Sequence, residues 1–107
     1  MLFNKVIENK TTDFKIDLRL QDPTLLAVEG LNGSEIITFD LAAVTDTVTG
    51  IIDPTVDSNW IALINNGTQI SMSATNNYMF IQAPAYYRLV LSDVPSNPIK
   101  IMKYIYK

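Results

Sequence analysis

Cysteine and histidine are both absent from the 107 residues of this chain. Without cysteine there are no disulfides, no thiolate metal ligands and no thiol nucleophile. Without histidine the chain lacks the commonest general base and the commonest metal ligand. Serine triads, cysteine proteases and ordinary zinc sites are therefore excluded. We expect a non-enzymatic protein with no catalytic residues, no cofactor and no metal.

Glycine, clustered basic charge and long apolar runs are scarce as well. Two of the four glycines stand in Asn-Gly pairs, so no glycine-rich loop is left to bind phosphate. The eight Lys and Arg residues are scattered and the net charge is −3, which argues against nucleic acid as a partner. The longest apolar run, residues 60–64, is far below the roughly 20 residues of a membrane helix. No signal-peptide pattern follows Met1, so we expect a soluble protein.

Alternation of apolar and polar residues with a period of two is the main structural signal. It is clearest in residues 14–20 and returns in residues 37–41, 70–74 and 99–105. This period predicts strands with one buried and one solvated face. Short, nearly continuous apolar runs occupy residues 25–28, 60–64, 78–81 and 87–91. Such runs suit strands that are buried on both faces.

Turn residues separate these segments. Asn32-Gly33 and Asn66-Gly67 predict two hairpins, because both residue types tolerate positive φ. Residues 42–59 fit poorly and are expected to form a long loop with a weak strand near residues 48–52. Roughly eight short strands result. We expect one all-β domain over residues 1–107, an antiparallel β-sandwich or barrel of jelly-roll type.

Acidic residues offer the remaining routes to chemistry. A carboxylate pair, as in glycoside hydrolysis, is one alternative, but most Asp and Glu residues stand beside turns or at polar strand positions, which predicts solvated side chains. Asp46, Asp53 and Asp57 share the long loop and suggest calcium, yet their spacing matches no calcium-binding loop. Three Asn-x-Ser/Thr triplets begin at Asn9, Asn32 and Asn66, and we interpret them as structural.

The aromatic residues are concentrated in the second half of the chain, and Trp60, Phe80 and Tyr87 are expected to pack in the core. On one side of the last predicted strand lie Met102, Tyr104 and Tyr106, whose amphipathic side chains suit a protein partner. The start of the chain is similarly apolar, and chain ends usually fray unless they dock. The interface candidates are Leu2, Phe3, Met102, Tyr104 and Tyr106.

Residues 60–106 combine a tryptophan strand that leads to a tight turn, WIALINNGTQISMSATNN, with an aromatic-proline segment and a Tyr-Arg strand, YMFIQAPAYYRLVLSD. In this combination they resemble small virion proteins of tailed bacteriophages. The resemblance implies a β-sandwich or barrel that serves as a head decoration (cement) protein, a head fibre or a tail component, often as a trimer. It also implies capsid or other virion proteins as partners, and a location in the virion after assembly in the host cytoplasm.

The sequence therefore predicts a structural virion protein, and a capsid decoration protein is the preferred hypothesis. Two alternatives stay open. A carbohydrate- or receptor-binding module of the adhesion machinery would show exposed, coplanar aromatic rings flanked by Asn and Asp. A carboxylate-based hydrolase would show two acidic side chains facing each other in a cleft.

Overall fold

The computed structural model of the protein describes residues 2–42, 60–82 and 85–106. These residues contain β-strands and no helix long and apolar enough to cross a membrane. The strands are β1 (Leu2–Lys10), β2 (Phe14–Leu20), β3 (Thr24–Glu29), β4 (Ile36–Ala42), β5 (Trp60–Ala62), β6 (Ile64–Asn65), β7 (Thr68–Gln69), β8 (Ser71–Ser73), β9 (Tyr78–Ile81), β10 (Ala85–Leu91) and β11 (Ile99–Ile105).

The strands form two main antiparallel sheets. The first sheet has the order β1-β11-β3-β9, and the second has the order β2-β10-β4-β5 with β8 also paired to β4. Successive long strands alternate between the sheets: β1 lies in the first, β2 in the second and β3 in the first again. Most ladders therefore join strands that are distant in sequence, and neither sheet closes on itself.

Strands β5 and β8 are two pieces of one interrupted edge strand. β5 pairs with the last three residues of β4, and β8 pairs with the first three. Between them the amide of Leu63 donates to the carbonyl of Phe39 at 2.9 Å, and the amide of Phe39 donates to the carbonyl of Ile70 at 3.2 Å. The β6–β7 hairpin is extruded sideways from this gap.

The tip of the hairpin is Asn66-Gly67, with φ of 54° and 79°. Positive φ at both central residues is the mark of a two-residue hairpin turn whose twist matches the strands. The hairpin predicted at this position is confirmed.

The strand order is that of a jelly roll. When β5 and β8 are counted as one strand and the β6–β7 hairpin is set aside, the described residues form eight strands. Renumbered from 1 to 8 along the chain, these strands have the orders 1-8-3-6 and 2-7-4-5. This is the arrangement of the double-sheet, eight-stranded jelly roll. The predicted antiparallel β-sandwich is confirmed, and the two sheets that the described residues form are not closed into a barrel.

The core lies between the two sheets and consists of the side chains that point inward from the strands. β2 shows the predicted alternation, with Phe14 and Leu20 buried and Lys15, Asp17 and Arg19 exposed. The most deeply buried side chains are Phe39, Leu26, Ile37, Met72, Leu89, Leu91, Ile99, Ile101, Val28 and Thr24. Tyr87 is buried as expected, and burial raises the pKa of its phenol.

The structure differs from the sequence predictions at two places, and a third prediction is not tested. Asn32-Gly33 makes a turn with positive φ at Gly33, but it joins β3 of one sheet to β4 of the other and is not a hairpin. Residues 2–10, for which no strand was predicted, form the edge strand β1. The weak strand expected at residues 48–52 lies outside the described residues.

Glu35 ties the β3–β4 turn to the β10–β11 loop. Its Oε1 accepts a hydrogen bond from the amide of Asn32 at 2.9 Å. Its Oε2 accepts from the amide of Ser96 at 2.8 Å and from the Ser96 hydroxyl at 3.0 Å. The amide of Ser96 is the main reason that the pKa of this carboxyl lies below its ordinary value, followed by the amide of Asn32. The expectation that turn carboxylates are solvated is wrong for Glu35, which is buried.

Candidate functional site

An apolar row crosses all four strands of the first sheet on its outward face. Phe3 lies opposite Tyr104, Tyr104 lies opposite Leu25, and Leu25 lies opposite Phe80. Residues directly opposite each other in antiparallel strands point to the same side of the sheet. The inward side of these strands holds the core residues Leu26 and Ile101, so this row faces away from the core.

A second row runs beside the first. It consists of Lys5, Met102, Ala27 and Tyr78, paired in the same way. Met102 is only 7% exposed although it points outward. We call the eight apolar outward residues of the first sheet the aromatic face; they are Phe3, Leu25, Ala27, Tyr78, Phe80, Met102, Tyr104 and Tyr106.

The aromatic rings of this face contact each other at an angle. The Phe3 and Tyr104 ring centroids are 5.1 Å apart with 41° between the ring planes. The Phe80 and Tyr106 centroids are 5.7 Å apart and nearly perpendicular, at 81°. Tyr106 is held in reach because its amide donates to the carbonyl of Pro23 at 3.0 Å. The rings form an uneven apolar surface and not a flat platform.

Much of the aromatic face is open to solvent. Phe3, Phe80, Tyr78 and Tyr106 are 49%, 46%, 60% and 44% exposed. Since a large aromatic side chain has about 200 Å² of surface, these four leave on the order of 400 Å² of aromatic surface uncovered. Exposed apolar patches of that size on a soluble domain frequently mark a binding site.

Charges at one end of the aromatic face are balanced. Lys5 Nζ lies 3.0 Å from Glu8 Oε2, and both side chains are about half exposed. Lys100 lies directly opposite Glu29 on the neighbouring strand. Two positive and two negative side chains therefore border an otherwise uncharged surface, and such a border favours no strongly charged partner of either sign.

The outward side of the second sheet carries charged and aromatic side chains that contact each other. Arg88, which is 8% exposed, lies 3.0 Å from Asp17 Oδ1 and stacks over the Trp60 ring at 4.3 Å from its centroid. Arg19 lies over the Tyr86 ring at 5.3 Å. Trp60 is half-buried on this outer side, so the prediction that it belongs to the core is wrong; it packs against a cation.

The interface candidates from the sequence fall into two groups. Phe3, Met102, Tyr104 and Tyr106 come together on the aromatic face, because β1 and β11 are neighbours with matching parity. Leu2 lies opposite Ile105, on the other parity, and its side chain is outside the described residues. Their role as an interface stays a prediction.

Half of the aromatic face was not identified from the sequence. Phe80 was assigned to the core and is instead exposed, which corrects that prediction. Leu25 and Ala27 were interpreted as part of a strand buried on both sides, as was Tyr78. The apolar runs were visible in the sequence. A strand that is apolar on both sides, however, does not show which of its sides faces solvent in the folded protein.

Metal binding has no candidate in the described part of the chain. Within residues 2–42, 60–82 and 85–106, no three side chains of His, Cys, Asp or Glu gather in a way that would hold an ion. The calcium candidates Asp46, Asp53 and Asp57 lie outside these ranges.

Comparisons of the chain with protein-family models, with curated proteins and with solved structures found no match. The interpretation of the aromatic face therefore depends on its own geometry.

Proposed function

We propose that this chain is a non-enzymatic structural protein of a bacteriophage virion, most specifically a decoration or cement protein that binds the head through its aromatic face. The observation that carries the proposal is the aromatic face itself. Four of its rings are about half exposed, on the side of the first sheet that faces away from the core. Covering an apolar surface of this kind with a partner stabilises the complex by roughly 25 cal/mol per Å² of apolar surface removed from water.

Two further features support a virion protein. Residues 60–106 resemble small virion proteins of tailed phages, as described above, and the jelly-roll order is one that viral capsid domains use. The jelly roll also occurs in lectins, so the fold by itself does not choose between the two functions. The choice depends on the aromatic face.

The ring geometry favours a protein partner over a sugar. Stacking on a sugar ring needs an accessible flat aromatic surface, whereas the two ring pairs meet at 41° and 81°. Trp60, the side chain best suited to a sugar, has the Arg88 guanidinium over its ring. Aromatic residues and methionine, which supply most of the aromatic face, are enriched at the centre of protein–protein interfaces.

The test uses particles of the phage whose genome encodes this chain, prepared with its gene deleted. Purified chain is mixed with these particles and co-sedimentation is measured. We expect the unaltered chain to bind, and the Phe3→Asp variant to lose binding because a charge would enter the apolar row. Phe3 is 49% exposed on an edge strand, so the fold should survive the substitution, which circular dichroism checks.

Val94→Asp is the matched control, since Val94 is 69% exposed in a loop and the change in charge is the same. It should bind like the unaltered chain. Absence of co-sedimentation by the unaltered chain, or equal binding by the Phe3→Asp and Val94→Asp variants, contradicts the proposal. A screen of the unaltered chain against glycans then tests the carbohydrate-binding alternative.

A further inference from the structure

Open sheets expose edge strands, and three of the four edges formed by the described residues carry features that hinder pairing with another chain. β1 is irregular in its pairing with β11, with register shifts on both sides of Ile7, and it carries three charged side chains. β2 places charged side chains at every second position. The third edge is interrupted by the extruded β6–β7 hairpin. Charges, bulges and broken strands are the usual protections of a sheet edge.

The fourth edge, β9, carries none of these protections. Residues 76–82 read NNYMFIQ and contain no charge, no proline and no glycine. β9 pairs with β3 in regular register over its whole length. Tyr78 and Phe80 are 60% and 46% exposed on its outward face. An uncharged, regular and apolar edge of this kind is a ready template for another strand.

The direction of the free hydrogen-bonding groups on β9 follows from one contact. The carbonyl of Asn77 accepts from the amide of Val28 on β3, at 2.9 Å. Because main-chain groups alternate in direction along a strand, Met79 and Ile81 also face β3. The amides and carbonyls of Tyr78 and Phe80 therefore point away from β3, to the open edge.

We propose that β9 pairs antiparallel with β9 of a second copy of this chain, across a twofold axis beside Met79. In this register Tyr78 lies opposite the second copy's Phe80, and Phe80 lies opposite the second copy's Tyr78. In both pairs the main-chain amides and carbonyls point to the open edge, so each pair forms two hydrogen bonds between the copies. Both also bring two aromatic side chains together on one face, which stabilises cross-strand pairs.

A second copy fits this edge better than a charged partner strand does. Each chain has a net charge of −3, yet no charge lies in residues 76–82, so the copies meet without like charges at the seam. A register centred on one residue keeps equal parities opposite each other, so both copies turn the aromatic face to the same side. The four-stranded first sheet becomes one sheet of eight strands.

This pairing goes beyond the proposed function, because it requires no virion protein. It would place two aromatic faces side by side in one continuous sheet. A particle contact would then be doubly anchored and gain in avidity.

The first measurement is the mass of the unaltered chain in solution. A contact between two short strands buries less than about 1,200 Å², the range of weak associations. Sedimentation equilibrium is therefore run up to about 1 mM. We expect a monomer–dimer equilibrium that approaches twice the 12.0 kDa of one chain. A monomer over the whole range overturns the pairing. So does a trimer, which is the assembly implied by the sequence resemblance.

Two substitutions locate the contact. Tyr78→Lys removes both cross-strand aromatic pairs and puts charge on the edge, so we expect the dissociation constant to rise by about tenfold or more. Val94→Lys, the same change of charge at a residue 69% exposed, should leave it unchanged. Equal dimerisation by the two variants overturns the assignment to β9.

The register is tested by a single cysteine in a chain that has none. Met79 would face the second copy's Met79 as a pair without hydrogen bonds, with Cα atoms about 4.5 Å apart, within the range that a disulfide spans. Met79→Cys should therefore form a covalent dimer on oxidation, and Lys15→Cys on the β2 edge should not. Failure of Met79→Cys to link, or equal linking by both variants, overturns the register.

Discussion

Replacing Gly30 with alanine tests how closely the end of β3 approaches the β10–β11 loop. Gly30 has φ of +105°, a conformation that residues with a side chain rarely adopt, and a Cβ built there would lie 2.3 Å from the carbonyl oxygen of Pro98. The oxygen belongs to the backbone, so it cannot move aside by a change of rotamer. The chain must shift at this point to accept even one methyl group.

The cost has two parts. Holding a non-glycine residue at such a φ costs about 1–3 kcal/mol, and forcing an extra methyl group into a packed site costs a further 1–3 kcal/mol or so. We expect Gly30→Ala to lower the free energy of unfolding by about 4 kcal/mol, which is on the order of 20 °C in Tm for a domain of this size.

Gly33→Ala is the matched control. Gly33 has φ of +61° and nothing lies within 4 Å of its virtual Cβ, so only the left-handed backbone conformation is penalised. The expected loss is about 1 kcal/mol. Urea unfolding followed by far-ultraviolet circular dichroism measures both variants. If the two losses agree within about 1 kcal/mol, the close approach of Gly30 to Pro98 is refuted.

Two further predictions concern burial and pH. Phe39→Ala should lower the free energy of unfolding by about 3–5 kcal/mol because Phe39 is fully buried. Phe80→Ala should lower it by about 1 kcal/mol, because the Phe80 ring is 46% exposed. Equal losses for the two variants in urea unfolding would mean that Phe80 is part of the core. The Glu35 pKa lies below its ordinary value of 4.5, so the charged carboxylate stabilises the fold above that pH and the contribution is lost as the pH falls through the folded-state pKa. The stability difference between the unaltered chain and Glu35→Gln should therefore be largest near neutral pH and shrink below pH 4.5. A difference that grows as the pH falls would contradict a stabilising role of the hydrogen bonds from Asn32 and Ser96 to the Glu35 carboxylate.

Strand faces were largely predictable from the sequence. The alternation in residues 14–20 and 37–41 identified the inward side chains, because that pattern depends only on which side of a strand meets water. The Asn66-Gly67 turn was predictable for a similar reason, since its positive φ values are a local property of two residues.

Strand partners were not predictable in the same way. Asn32-Gly33 has the same local chemistry as Asn66-Gly67, yet the strands on its two sides go to different sheets. β1 was missed because its pairing with β11 brings together opposite ends of the chain, and nothing near residues 2–10 in sequence records that ladder.

The residue pattern alone indicated an all-β domain, the buried side of each alternating strand and the amphipathic character of Met102, Tyr104 and Tyr106 on one side of β11. The strand pairing was needed to show that β1 and β3 flank this strand and that β9 lies beyond β3, each with its own apolar outward residues. It was also needed to show that no described element covers the resulting aromatic face fully. The reason is physical. Alternation tells which residues share a side of one strand, but exposure of that side depends on which distant segments pack against it.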